Sequence, residues 1–139
     1  MEIRGENYRI TYDPSTTTVV LEGIVRLYGA TGYFSIDDFS KNRQYDASWQ
    51  PQESLEGCVS LMQLFEYLVN QQSAVITVNL QKLELFNSSG INTLSKFIIK
   101  VRNKHVSQVI MKGTEQFFWQ GKILGNLKKL MPTLIVELE

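Results

Sequence analysis

Side chains able to act as nucleophiles, bases or metal ligands are few in this chain. It holds one cysteine, Cys58, and one histidine, His105, so an internal disulfide, a thiolate metal cage and a multi-histidine metal site are all excluded. The polar cluster with most chemical potential is Leu85-Phe86-Asn87-Ser88-Ser89-Gly90, where a strand-like run gives way to a helical one. A helix that starts there offers unpaired backbone N–H groups and the positive end of its dipole. Anions are stabilised at such a point, including a phosphate carried on a side chain. Gly90 permits close backbone approach, and Ser88 presents a hydroxyl beside those donors. Phosphorylation adds about −1.5 to −2 charges. If a partner buries the spot, each 1.4 kcal/mol of desolvation weakens binding about tenfold. Asn and Ser are also the preferred N-cap residues, so Asn87 or Ser88 could simply cap the helix.

Enzymatic readings of the same residues fare worse. A nucleophilic Ser88 or Ser89 needs a base, and His105 stands about 25 Å away if the intervening chain is one helix rising about 1.5 Å per residue. The G-x-S-x-G, G-x-x-x-x-G-K-[ST] and G-x-G-x-x-G patterns are absent. Asp37 and Asp38 are adjacent carboxylates in a polar stretch, where solvation is the simple reading. His105 suits a helix C-terminus, and Cys58 reads as a packed small hydrophobe. The chain is expected to be a non-enzyme with no cofactor and no bound metal.

The elements that position this cluster follow from periodicity. Tyr8, Ile10 and Tyr12 alternate with polar residues as in a half-buried strand. Asp13-Pro14-Ser15-Thr16 is turn chemistry, and a second β-rich run covers residues 17–27, with Gly23 marking a bulge. Ser54 caps a predicted helix to about Gln71, striped by Leu55, Val59, Met62, Phe65 and Val69 and widened by Leu61 and Leu68. The apolar run 74–80 predicts a central strand covered on both faces. A helix over 87–104 carries Ile91, Leu94, Phe97, Ile98 and Val101. A short strand at 109–111 follows, then a helix opening at Thr114 with Phe117, Leu124, Leu127 and Met131 on one stripe. Pro132 stops it, and a last strand spans 134–138. Gly121 and Gly125 weaken that helix by about 1 kcal/mol each relative to Ala.

Residues 28–52 show no periodicity but hold Tyr28, Tyr33, Phe34, Phe39, Tyr45 and Trp49. So aromatic a stretch is expected to pack as an insert, covering one end of the sheet or lining a pocket or an oligomer contact. The order β-β-insert-α-β-α-β-α-β demands parallel pairing of the helix-linked strands and an antiparallel opening hairpin. The predicted fold is a single α/β domain over 1–139: a mixed, mostly parallel sheet with about three helices packed on it.

Composition sets the outer bounds. The 139 residues suit one domain. Hydrophobic residues at 43% and charged ones at 20% describe a globular chain. Fourteen Lys and Arg balance fourteen Asp and Glu, so no global field draws the chain to nucleic acid or an anionic membrane. The N-terminus lacks the apolar core of a secretory signal, and no apolar run reaches the length of a membrane span. A cytoplasmic location is expected.

The strand at 74–80, the segment Phe86-Asn87-Ser88-Ser89-Gly90 and the helix after it resemble the signature of STAS-domain proteins, the anti-sigma factor antagonists. That family's core is an opening hairpin followed by alternating helices and strands. Its motif is an aspartate, two small hydroxyl residues and a glycine, and the first hydroxyl residue is phosphorylated; here that residue is Ser88. Asn87 stands in place of the usual aspartate, and the insert is longer than the family's usual connection. The chain is also similar to a group of bacterial regulatory phosphoproteins, some of which control a diguanylate cyclase. The resemblance implies a partner-switching regulator that binds through Asn87, Ser88, Ser89, Gly90 and Asn92. It further implies a serine kinase or anti-sigma factor-like partner and a PP2C-type phosphatase, with a homodimer left open. A ligand-sensing or scaffolding domain without phosphorylation is the alternative, as is a phospho-regulated activator of a signalling enzyme.

Overall fold

The computed structural model describes residues 2–4, 7–26, 54–55 and 61–139. In chain order these form β1 (Glu2–Arg4), β2 (Tyr8–Asp13), β3 (Thr18–Val25), β4 (Ser54–Leu55), α1 (Leu61–Asn70), β5 (Val75–Phe86), α2 (Ser88–Lys104), β6 (Gln108–Gly113), α3 (Phe118–Leu130) and β7 (Ile135–Leu138). One seven-stranded sheet runs β4-β1-β2-β3-β5-β6-β7. Its β1–β2 and β2–β3 pairs are antiparallel and the others parallel. The α/β class, the opening hairpin and the helix-linked parallel strands therefore stand as expected. The insert over 28–52, the Asp37–Asp38 pair and Cys58 lie outside the described residues.

The hairpin turn is built as its composition dictates. The Asp13 carboxylate accepts hydrogen bonds from the Ser15 amide at 2.9 Å and the Ser15 hydroxyl at 2.6 Å, which holds its pKa below the ordinary carboxylate range. Gly23 has a φ of +85°, a region closed to most side chains. A Cβ there would lie 2.2 Å from the Asn7 carbonyl oxygen, which accepts the Ile24 amide at 2.8 Å. The β3–β5 register shifts at this point, so the predicted bulge is present.

From β3 the chain steps through β5, β6 and β7 in one direction, and right-handed crossovers place the connecting helices on one face. Phe65 of α1 stacks on Phe97 of α2 with centroids 4.5 Å apart, and Tyr67 meets Tyr12 of β2 edge-on. The core between helices and sheet includes Ile10, Leu21, Leu64, Leu68, Ile76, Val78, Leu94, Ile98, Met111 and Leu127.

Three expectations need correction. Among the described residues strand β5 is covered on one face: Ile76, Val78 and Leu80 are buried, but Val75 is exposed and Thr77, Asn79 and Gln81 are half-buried. The alternation is that of a two-layer fold, and the apolar run misled because Thr77 and Asn79 were averaged into it. Ser54 does not cap a helix; Ser54 and Leu55 pair in parallel with Glu2 and Ile3, and the described helix begins at Leu61. A backbone ladder at the sheet edge there outweighs capping chemistry, and β1, its partner, has no strand signal in three residues. Thr114 likewise opens a turn rather than α3. Its hydroxyl accepts the Gln116 amide at 3.1 Å and donates to the Glu139 carbonyl at 3.0 Å, and α3 starts at Phe118 with no side-chain cap.

Candidate functional site

Strand β5 overhangs its neighbour. It pairs with β6 only from Val75 to Asn79, whereas on its other side it runs beside β3 up to Val25↔Phe86. Residues 80–86 therefore have backbone groups facing away from β3 with no strand among the described residues to receive them. Two side chains from the start of α3 fill the gap. The fully buried Gln120 donates through Nε2 to the Leu80 and Leu83 carbonyls at 2.7 and 2.9 Å, and its Oε1 accepts the Thr114 amide at 2.9 Å. The Trp119 indole donates to the Glu84 carbonyl at 2.9 Å. Sequence reasoning missed both residues, since a glutamine inside an amphipathic stripe carries no sign of the backbone it will meet.

At the tip of this overhang the chain turns directly into α2. Asn87 is extended (φ −75°, ψ 175°), and its side chain accepts the Gly90 amide at 3.0 Å, the geometry of an N-cap. The Ile91 amide closes the first helical bond on the Asn87 carbonyl at 3.0 Å. The Asn87 amide donates to the Val25 carbonyl at 3.4 Å, tying the junction to the end of β3.

The expected site residues divide by exposure. Ser88, the first residue of α2, is exposed, as is Asn92 one turn later; Asn87 and Ser89 are half-buried. The Ser89 carbonyl accepts the Thr93 hydroxyl at 2.8 Å. Gly90 is buried, and a Cβ on it would fall 2.1 Å from the Phe86 ring. Its absent side chain lets the helix settle on the strand's last aromatic, so Gly90 sets the approach of α2 rather than offering surface to an anion.

The first turn of α2 has no acidic residue, and its last turn carries Arg102 and Lys104, which leaves the positive pole at Ser88 uncompensated. His105 caps the opposite end of the helix in the left-handed region at φ 57°. It lines a cavity of about 450 Å³ with Arg102, Gln108, Met131 and Thr133, remote from Ser88. Groups with displaced pKa values also lie elsewhere. Burial pushes the Tyr12 phenol up and the Lys100 ammonium down, the latter although Glu66 contacts it.

Among the described residues no group of three or more His, Cys, Asp or Glu could hold a metal ion, and no helix is long and apolar enough to cross a membrane. Comparison with protein-family models, with curated proteins and with solved structures returned no match.

Proposed function

We propose that this chain is a cytoplasmic, non-enzymatic partner-switching regulator of the STAS-like, anti-sigma factor antagonist kind, controlled by phosphorylation of Ser88. One observation carries the reading: Ser88 is exposed at the first position of α2, where a dianion meets the positive pole of the helix. A charge at such a pole stabilises a helix by about 0.3–1 kcal/mol, so modification changes the surface without unfolding the domain. The partner contacts Asn87, Ser88, Ser89 and Asn92, with Gly90 holding the helix in place. A serine kinase or anti-sigma factor-like protein writes the mark, and a PP2C-type phosphatase removes it.

Intact-mass analysis after incubation with serine kinases of the native host tests the reading. The expected result is the gain of one phosphate, lost in Ser88→Ala. Partner capture should differ between Ser88→Ala and Ser88→Asp while both melt within a few degrees of the parent. Equal capture by the two variants, or no phosphate with the kinase that captures the protein, refutes the switch and favours an unmodified scaffold.

A further inference from the structure

Charge is unevenly distributed along the chain. Residues 85–136 carry eight lysines and arginines but a single acidic residue, Glu115, although the whole chain has fourteen of each sign. Neither α2 nor α3 contains Asp or Glu. Some of these cations serve the fold: Lys100 pairs with Glu66, Arg102 donates to the Leu130 carbonyl at 3.1 Å, and Lys128 donates to the Leu134 carbonyl at 2.7 Å. Lys122 and Lys129 of α3 make no ion pair among the described residues.

At 100° per residue, Phe118, Gly121, Lys122, Gly125 and Lys129 share one stripe of α3, opposite the buried Gln120, Leu124 and Leu127. All five are exposed, and Phe118 is 96% exposed. A Cβ on Gly121 or Gly125 would meet nothing within 4 Å. The domain's own packing thus requires neither glycine, although each weakens the helix. The face joins an unburied aromatic, a shallow one-turn groove and two unpaired ammonium groups.

We propose that this face of α3 docks a partner protein through an acidic amphipathic segment. Phe118 enters an apolar pocket of the partner, the segment's backbone lies over Gly121 and Gly125, and Lys122 and Lys129 pair with its carboxylates. The inference stands on α3 alone and does not need Ser88 to be modified. Sign selects the occupant, since a helix face with lysines and no carboxylate of its own is complementary to a negative segment. A second copy of the same stripe would bring two more lysines and no carboxylate into a two-fold contact. A phosphate backbone has no use for open space over two glycines. A bilayer needs a broad apolar face, and that of α3 is already in the core. An aromatic anchor in a desolvated pocket is the usual centre of a protein–protein contact.

The test titrates the isotope-labelled full chain at physiological ionic strength, followed by amide chemical shifts. Three probes are compared: a helical peptide with leucines at three- and four-residue spacing and glutamates between them, a duplex oligonucleotide, and vesicles containing phosphatidylserine. The peptide should move the amides of α3 and bind more tightly than the other two. Phe118→Ala should weaken it about tenfold or more. The double variant Gly121→Ala/Gly125→Ala should melt higher than the parent yet bind about tenfold more weakly, because methyl groups fill the groove. A peptide that leaves α3 unmoved, variants that bind as the parent does, or tighter binding of the oligonucleotide or vesicles would each overturn the proposal.

Discussion

Gln120→Met keeps the side-chain length but deletes the two hydrogen bonds that close the free flank of β5, at 2.7 and 2.9 Å, and the one accepted from the Thr114 amide at 2.9 Å. A buried hydrogen bond contributes about 1 kcal/mol net, and a buried group left without its partner costs about 1–3 kcal/mol. Gln120 is fully buried, so the Leu80 and Leu83 carbonyls and the Thr114 amide cannot all turn to water. The expected loss is about 3–5 kcal/mol, a large share of the roughly 5–15 kcal/mol that holds a domain together. With an unfolding entropy of about 2.1 cal/mol/K per residue, a chain of this length should melt about 10–17 °C lower. Urea unfolding followed by circular dichroism measures the difference. Gln120→Glu sharpens the test, because a carboxylate cannot donate to two carbonyls. Burial raises its folded pKa above the unfolded value of about 4.3. A protonated carboxyl can still donate to only one of the two carbonyls, so the variant's deficit should be smallest below about pH 4 and grow as pH rises through the folded value. A loss under about 1 kcal/mol for Gln120→Met, or a Gln120→Glu deficit independent of pH, would refute the view that this side chain substitutes for a strand.

Other residues should respond as follows. Asn87→Ala deletes the acceptor for the Gly90 amide and should cost about 1 kcal/mol in urea unfolding, whereas Asn87→Asp keeps the cap and should cost nothing. Gly90→Ala gains about 1 kcal/mol of helix propensity but drives a methyl into the Phe86 ring. The clash should win with a net loss of about 1–3 kcal/mol, read from melting temperature and the Phe86 ring resonances. Burial raises the folded pKa of Tyr12, so its contribution is intact below about pH 10 and lost as pH rises through the folded value. Tyr12→Phe should flatten that alkaline decline in a pH series of thermal melts.

The fold was legible wherever one face of an element met the core and the other met water. Tyr8, Ile10 and Tyr12 marked β2, and Leu94, Phe97, Ile98 and Val101 marked α2 together with its cap at Asn87. Legibility failed where backbone partners came from far along the chain. The stretch Gln81-Lys82-Leu83-Glu84-Leu85-Phe86 loses clean alternation, since Glu84 and Leu85 are both exposed, yet β3 holds it extended. The edge pair β1–β4 joins residues some fifty positions apart, which no local pattern announces. At the candidate site, the strand-to-helix junction and Ser88 at its mouth could be read directly, because capping is a local event. The role of Gly90 could not, because it depends on where the Phe86 ring lies.

Seven residues of β5 lie beyond its last pairing with β6, and at about 3.3 Å each they carry the strand's end, next to Ser88, roughly 23 Å past that point. On the other side β2 flanks β3 as far as Gly23, level with Leu83, so among the described strands only Ile24–Val25 and Leu85–Phe86 run past the rest of the sheet, with Ser88 two residues beyond them. This end of β5 is moored sideways by the Trp119 indole on Glu84, next to the outward-facing Phe118. Phe118 and Trp119 are consecutive, so the first turn of α3 is tied to the strand four residues before Ser88.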